Sequence, residues 1–275
     1  MTLPVTFTDW LRTPEIPVDR AALILARDAY PQLDINEQLG RLDALAAPLA
    51  PRLSRCRTVQ SQAAVLGTFV YDELGFHGDE ETYYDPRNSY LNDVVDRRTG
   101  IPISLAVLLI ALGTRAGLTV EGVGFPGHFL VRLGGIEGVY LDPFFRARIL
   151  SADALERLLR RALGDAAHMS PEHLAAVSTR AVVARMLTNL KAVYESRREH
   201  ARALVVCDRL VDVSASPEVR RDRGGHAIAL GAFSAAVEDY ETYLIARPGA
   251  ADAAKIRAAL ADLRSSVGRA DRRAN

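Results

Sequence analysis

The sequence predicts an α+β protein, in which a mainly helical domain with a small antiparallel sheet precedes an all-helical region. Three observations lead to this class. In the first third, apolar residues recur at helical spacing, as over Ile35–Leu49. In the middle third, short apolar runs separated by glycine turns follow a long apolar helix. In the last third, small and aromatic residues recur at the spacing of a helical repeat.

The helices before the middle third are bounded by proline, glycine and capping residues. Pro31 ends the first of them, and Asp34 is placed to N-cap the second. Residues 75–88 have turn chemistry throughout, which indicates a loop before a short fourth helix. The four predicted helices are Ile16–Tyr30, Ile35–Leu49, Val59–Leu74 and Tyr90–Asp96.

The middle third is organised around a helix that begins at Pro102. Proline is tolerated in the first helical turn because its missing N–H would have no partner there. Residues 103–112 are almost all apolar, which predicts burial on most sides, and Gly117 is placed to end the helix. The predicted strands are Leu118–Phe125, His128–Leu133 and Gly138–Asp142, with residues 144–150 finishing the sheet and a helix from Ser151 to Leu163 after it. His128 and Asp142 then lie on neighbouring strands, as in an active-site frame.

This order of features resembles the transglutaminase-like core of the papain-like cysteine enzymes. In those enzymes, a cysteine at a helix N-terminus is activated by a histidine that an aspartate orients. The resemblance gives His128 the histidine place and Asp142 the aspartate place, whereas the nucleophile place falls on Pro102. Proline has no nucleophilic atom, so the resemblance implies a pseudoenzyme with a vestigial dyad.

Three longer stretches of sequence point to a narrower family within this class. They are Asp85-Pro-Arg-Asn-Ser-Tyr-Leu-Asn92, Arg97-Arg-Thr-Gly-Ile-Pro-Ile-Ser-Leu105 and Phe125-Pro-Gly-His-Phe-Leu130. These strings resemble the bacterial SirB-type, transglutaminase-like family, whose members commonly append tetratricopeptide repeats to the core.

The last third has the tetratricopeptide pattern itself. Its residues are Gly224, Gly231, Phe233, Ala236, Tyr240, Leu244 and Pro248, and a weaker upstream copy contains Leu190, Tyr194, His200, Ala203, Cys207 and Val211. A capping helix is predicted from Ala251 to about Val267. The predicted domains are therefore a transglutaminase-like domain at 1–165, repeat helices at 170–267 and a polar tail at 268–275.

Two interpretations stay open for each candidate site. His128 and Asp142 form either a functional dyad, in which the carboxylate accepts the Nδ1–H, or a buried histidine satisfied for structural reasons. Ser104 is the nearest hydroxyl to the nucleophile place, but two helical positions rotate it by roughly 200°. The polar residues of the three sequence strings either line a pocket above the dyad or hold the loop before the helix in place through hydrogen bonds from their side chains to the backbone. These candidate pocket residues are Asn88, Tyr90, Asn92, Arg97, Gly100 and Ser104.

Composition excludes several functional classes. Lys plus Arg and Asp plus Glu both number 34, so no large field favours nucleic acid or acidic lipid. The N-terminus lacks a signal-peptide pattern, and the longest apolar run is shorter than the about 20 residues of a membrane span. Cys56 and Cys207 match no metal or disulfide spacing. We therefore expect a cytoplasmic protein without a metal, a cofactor, a nucleic-acid partner or a membrane partner.

The function that these patterns favour is non-catalytic, in protein interaction or regulation. The vestigial cleft would serve at most as a ligand or peptide pocket, and the tetratricopeptide helices would contact a protein partner. Those helices have an alternative interpretation as a rigid structural appendage. The alternative function is a cysteine-independent amidase or acyl-transferase of the transglutaminase-like class that uses His128 and Asp142.

Overall fold

The structure, a computed structural model, describes residues 6–13 and 15–274, with side chains described as far as residue 265. The chain forms two compact units, Met1–Met186 and Leu187–Asn275. The first combines helices with small sheets and the second is helical, so the predicted α+β class is confirmed. None of the described helices is long and apolar enough to cross a membrane.

In the described residues of the first unit, eight α-helices lie wholly within the unit. They are α1 (Phe7–Leu11), α2 (Val18–Ala26), α3 (Ile35–Ala46), α4 (Ala50–Leu53), α5 (Val59–Gly67), α6 (Leu91–Arg97), α7 (Pro102–Arg115) and α8 (Ala152–Leu163). The predicted caps are present: the Asp34 side chain accepts the Asn36 N–H at 2.8 Å, and Ser151 Oγ accepts the Ala154 N–H at 3.2 Å. Helix α5 continues as a π-helical turn over Thr68–Glu73.

The described residues form six strands, which are β1 (His77–Gly78), β2 (Thr99–Gly100), β3 (Val120–Val123), β4 (Leu130–Leu133), β5 (Val139–Asp142) and β6 (Arg148–Leu150). The last four form an antiparallel meander in the order β3-β4-β5-β6, and the first two form a separate parallel pair, β1-β2. In the meander, Val123 pairs with Leu130, and Leu133 pairs with Val139. The strands are shorter than predicted because their ends bend into the connecting turns.

Helix α7 is the centre of the first unit. Every residue from Ile103 to Gly113 is buried except Ile110, which is partly buried, as the apolar run predicted. One side of α7 packs against α2 and α3, and another packs against β3 and β4. The opposite face of the sheet, which includes Leu130, packs in one apolar cluster with Leu155 and Leu159 of α8.

The first unit extends beyond residue 165. The segment after α8 returns to the sheet, where Ala176 bridges Val123 and the Val177 N–H donates to the Gly122 carbonyl at 2.9 Å. These backbone contacts attach residues 171–178 to the same unit as the meander.

Helical hairpins build the second unit, in which each of the last four helices packs against the next one. Its helices are α9 (Thr179–Ser196), which begins in the first unit, α10 (His200–Val213), α11 (Pro217–Ala229), α12 (Phe233–Ala246) and α13 (Ala253–Ala274). Gly224 allows α11 to approach α12, because a Cβ there would lie 2.7 Å from the Tyr240 ring. Helix α13 continues into the predicted tail at 268–275, whose side chains, with all of Asn275, lie outside the described residues.

Candidate functional site

The loop that leads into α7 is held by close packing around Gly100. Pro102 is the first residue of α7, as predicted. The Asp79 N–H donates to the Gly100 carbonyl at 3.0 Å, which extends the β1-β2 pair toward the helix. A Cβ on Gly100 would lie 2.7 Å from Ser104 Oγ and 3.2 Å from Leu105 Cγ, so this position has no room for a side chain.

The carboxylate of Asp79 accepts several of the hydrogen bonds that hold the loop at residues 79–88. Its Oδ1 accepts the Thr82 N–H at 2.7 Å, and its Oδ2 accepts the Asn88 amide at 2.9 Å. Burial raises the pKa of Asp79, but the hydrogen bonds from Thr82, Asn88 and Glu81 outweigh this effect and hold the pKa below its usual value. The sequence analysis missed Asp79, although aspartates in turns commonly accept hydrogen bonds from the backbone N–H groups that follow them, as Asp79 does from Glu81 and Thr82.

Three of the candidate pocket residues are joined in this same network. Arg97 Nη1 donates to Asn88 Oδ1 at 2.9 Å, and Ser104 Oγ donates to the Asn88 carbonyl at 2.6 Å. Gly100 lies beside Ser104, because a Cβ added to the glycine would be 2.7 Å from Ser104 Oγ. These contacts favour the interpretation in which Asn88, Arg97 and Ser104 hold the loop in place.

The other two candidate pocket residues face different surroundings. The Tyr90 ring packs edge to face against Tyr30, with ring centroids 5.7 Å apart. Asn92 is buried, and its Oδ1 has no hydrogen-bond partner among the described residues. The neighbouring Ser89 Oγ is also buried without a hydrogen-bond partner among the described residues. The structure therefore does not bring the six predicted residues together around one pocket.

His128 lies in the turn before β4 rather than in the strand, because its N–H closes a turn onto the Phe125 carbonyl at 3.0 Å. Arg185 holds this turn from α9 by donating to the His128 carbonyl at 2.8 Å. Burial lowers the pKa of His128, and the charges of Arg161 and Arg185 lower it further, against the opposing effect of Asp142. The ring is therefore neutral near pH 7, and it makes no hydrogen bond to any described residue.

Asp142 is the last residue of β5. The preceding residue, Leu141, pairs with Val131 of β4, which is three residues beyond His128. Asp142 Oδ1 accepts the N–H of Phe144 at 3.1 Å, which fixes the turn that follows the strand. Its Oδ2 is buried without a hydrogen-bond partner, and the Arg148 guanidinium is 4.0 Å away. Asp142 thus caps a turn and does not hydrogen-bond to the imidazole.

Tyr71 also holds the turn that follows Asp142, because its hydroxyl donates a hydrogen bond to the Pro143 carbonyl. Burial raises the pKa of Tyr71, and the negative charge of Asp142 raises it further. Tyr71 therefore remains a neutral donor. No sequence signal connected it with residue 143, which is distant along the chain.

Neither cysteine nor the nearest serine supplies a nucleophile to this site. Ser104 Oγ donates to the Asn88 carbonyl and accepts the Ile101 N–H at 3.1 Å, so its proton and one of its lone pairs are engaged. The Cys56 thiol lies 3.9 Å from the carbonyl of Arg52, a residue of the preceding helix α4. Cys207 belongs to the second unit, where burial raises its thiol pKa to about 12.

An aromatic ladder extends from the site to the surface, and the sequence analysis did not identify it. We use this name for Tyr84, Tyr83, Phe144 and Phe145, which meet edge to face in that order with centroid distances of 5.5, 6.3 and 5.4 Å. Tyr84 is 61% exposed and Phe145 is 49% exposed. Within the described part of the chain, no group of three or more His, Cys, Asp or Glu residues is placed to hold a metal ion.

Comparison with known proteins agrees with this architecture. Residues 36–188 match the family model described as transglutaminase-like superfamily, and residues 190–261 match the one described as tetratricopeptide repeat. A UPF0162 protein of Xylella fastidiosa is 37% identical and covers 90% of each chain, and one of Vibrio cholerae is 36% identical over 63% of this chain and 65% of its own. Human F-box only protein 21 is 34% identical over 48% of this chain and 22% of its own length. The chain therefore belongs to the transglutaminase-like superfamily, among the UPF0162 proteins, and carries tetratricopeptide repeats.

Proposed function

We propose that this protein is a non-catalytic, SirB-type member of its superfamily that works in the cytoplasm by binding another protein. The single observation that carries the proposal is Pro102, which occupies the nucleophile place as the first residue of α7. A helix N-terminus favours a thiolate through its free N–H groups, but this benefit needs a sulfur atom. The occupied hydroxyl of Ser104 supports the same conclusion, because no other side chain at this helix end replaces the thiol.

The residues around the vestigial dyad are suited to a peptide. The buried Oδ2 of Asp142 lacks a hydrogen-bond donor, and the half-buried ring of neutral His128 has one nitrogen that can donate and one that can accept. A peptide backbone presents both kinds of group at close spacing. The adjoining aromatic ladder adds exposed apolar area, and aromatic residues are enriched at protein interfaces. A peptide segment of the partner is therefore the proposed ligand of this site.

The repeat helices supply the second proposed contact. Tetratricopeptide stacks bind proteins on the concave surfaces formed by their paired helices. Here residues 190–261 match that repeat, and Gly224 permits the close helix approach that the stack needs. Two contacts on one chain would raise the overall affinity beyond that of either contact alone.

The experiment is capture of partners from a lysate of the source cells, with the full chain compared against three variants. Tyr84→Ser combined with Phe145→Ser removes the ends of the aromatic ladder, and removal of residues 225–275 disrupts the repeats. Ile136→Ser is the matched control, because Ile136 is an exposed apolar residue outside the ladder, 80% exposed. We expect the first two variants to lose the partner and the control to retain it. Retention by the ladder variant and by the truncated chain would contradict the proposal.

A second candidate is a cysteine-independent amidase or acyl-transferase. The observation in its favour is the lowered pKa of His128, which leaves the ring available as a base near neutral pH. General-base assistance alone contributes roughly 10²–10⁴-fold to a rate. The candidate lacks both a nucleophile and an identified donor for an oxyanion, so we place it second.

A further inference from the structure

A cleft of about 500 Å³ lies at the meeting of α2, α3 and α7, within the first unit. Its lining is mostly apolar and includes Val18, Leu39 and Ala111, together with the charged residues Asp19, Arg20, Asp43 and Arg115. Small-molecule sites are typically apolar concavities of about 300–1,000 Å³ with a few placed polar groups. Size and lining therefore agree with a site for one small molecule.

Arg20 is the unusual residue of this cleft. It is only 5% exposed, and its Nε is buried without a hydrogen-bond partner. Its two terminal nitrogens share one acceptor, Asn36 Oδ1, at the long distance of 3.4 Å each. Among the described residues, no carboxylate lies within ion-pair distance of its guanidinium. A buried cation is costly unless it is paired and hydrogen-bonded, so Arg20 lacks the partner that its position requires.

The neighbouring carboxylates are already engaged. Asp19 Oδ2 accepts from Arg115 Nη1 at 2.6 Å, and its Oδ1 accepts the Arg20 backbone N–H at 2.9 Å. Asp43 accepts from Arg115 Nε at 2.6 Å, but its side chain is 68% exposed and therefore solvated. Arg115 is thus paired with both carboxylates of the lining, and Arg20 is left without a charged partner among the described residues.

We propose that this cleft binds a small carboxylate with an apolar body, whose carboxylate pairs with Arg20. The planar guanidinium presents its donors in a fork that matches a carboxylate. A single unpaired guanidinium fits a monoanion, whereas a phosphate monoester carries about −1.5 to −2 charges at pH 7 and would repel Asp19. The apolar lining requires an aliphatic or aromatic body on the same molecule. This site shares no residue with the dyad or the ladder and does not depend on the proposed function.

The test is isothermal titration calorimetry of the full chain with octanoate, octylamine and octyl phosphate. Octanoate is expected to bind one molecule per chain, octylamine is expected not to bind, and octyl phosphate is expected to bind more weakly than octanoate. Arg20→Gln should weaken octanoate binding about ten-fold or more, since a hydrogen bond to a charged group is lost. Arg185→Gln is the matched control, because Arg185 is an arginine of the same unit beside His128, and it should leave binding unchanged.

A second variant covers the case in which Arg20→Gln does not fold. Thr114 is exposed and lines the cleft, so Thr114→Trp should fill the space and abolish octanoate binding without disturbing the core. Circular dichroism verifies the fold of each variant. The assignment is overturned if octanoate does not bind the parent, or if octylamine or octyl phosphate binds the parent as tightly as octanoate does. It is also overturned if folded Arg20→Gln or Thr114→Trp binds octanoate as the parent does, or if Arg185→Gln loses octanoate binding.

Discussion

Gly100→Ala is the most informative single change to the helix entry. The new methyl group would lie 2.7 Å from Ser104 Oγ, 3.2 Å from Leu105 Cγ and 3.3 Å from Val94 Cγ1. Gly100 does not have a positive φ, so alanine meets no backbone penalty there and the effect is steric. Ser104 must move, and the hydrogen bonds that it makes to the Asn88 carbonyl and the Ile101 N–H would break.

The magnitude follows from these contacts. Overpacking in a filled core costs about 1–3 kcal/mol. Each of the two hydrogen bonds contributes about 0.5–1.5 kcal/mol. Alanine restricts the unfolded chain, which offsets about 0.4–1 kcal/mol of the loss. The net expectation is a decrease of about 1–6 kcal/mol in the free energy of unfolding of the first unit, with about 3 kcal/mol at the middle of the range.

Urea unfolding followed by tryptophan fluorescence measures this quantity. Trp10, the sole tryptophan of the chain, is 4% exposed in α1, so its emission reports the first unit. Gly40→Ala is the matched control, because Gly40 lies in α3 with no atom within 4 Å of an added Cβ. It should stabilise by about 0.5–1 kcal/mol. A Gly100→Ala protein as stable as the parent would refute the packing described at the start of α7.

Three further predictions concern individual side chains. Asp79→Asn should cost about 1–3 kcal/mol at pH 7. The folded state lowers the pKa of Asp79, so the stabilisation that the carboxylate gives is present above its unfolded pKa and is lost as the pH falls through its folded pKa. The free energies of unfolding of parent and variant, measured in urea, should therefore converge in acid. The His128 ring should titrate below its usual pKa, and Arg185→Gln should raise that pKa, as measured by NMR; an unchanged value would contradict the electrostatics described. A thiol reagent should label Cys56 in the native protein and Cys207 only after unfolding; rapid native labelling of both would disprove the burial of Cys207.

Local patterns predicted the elements of the fold well where the causes were local. The proline at the first position of α7 and the caps Asp34 and Ser151 all depend on neighbours within four residues. The apolar run after Pro102 predicted burial because a helix without a polar face has to be covered on all sides. Strand ends were predicted too long, since turn closure at residues such as His128 is decided by backbone hydrogen bonds rather than by side-chain type.

The site depended on contacts that no local pattern encodes. Arg185 reaches the His128 carbonyl from α9, and the Tyr71 hydroxyl reaches Pro143 from the π-helical turn. The sequence placed His128 and Asp142 on neighbouring strands, but it did not show that the carboxylate would cap its own turn. The aromatic ladder joins two loops far apart in the chain, so only the folded structure brings its rings together.

The proposal that the site lacks a nucleophile is tested most directly by an acyl-transfer and amide-hydrolysis assay of the parent and His128→Ala side by side, with acyl-donor and glutamine-containing substrates. Since the resemblance assigns the nucleophile place to Pro102, the first residue of α7, we predict no turnover above background in either protein. Turnover by the parent that is lost specifically in folded His128→Ala would contradict the non-catalytic account and establish the enzyme in its place.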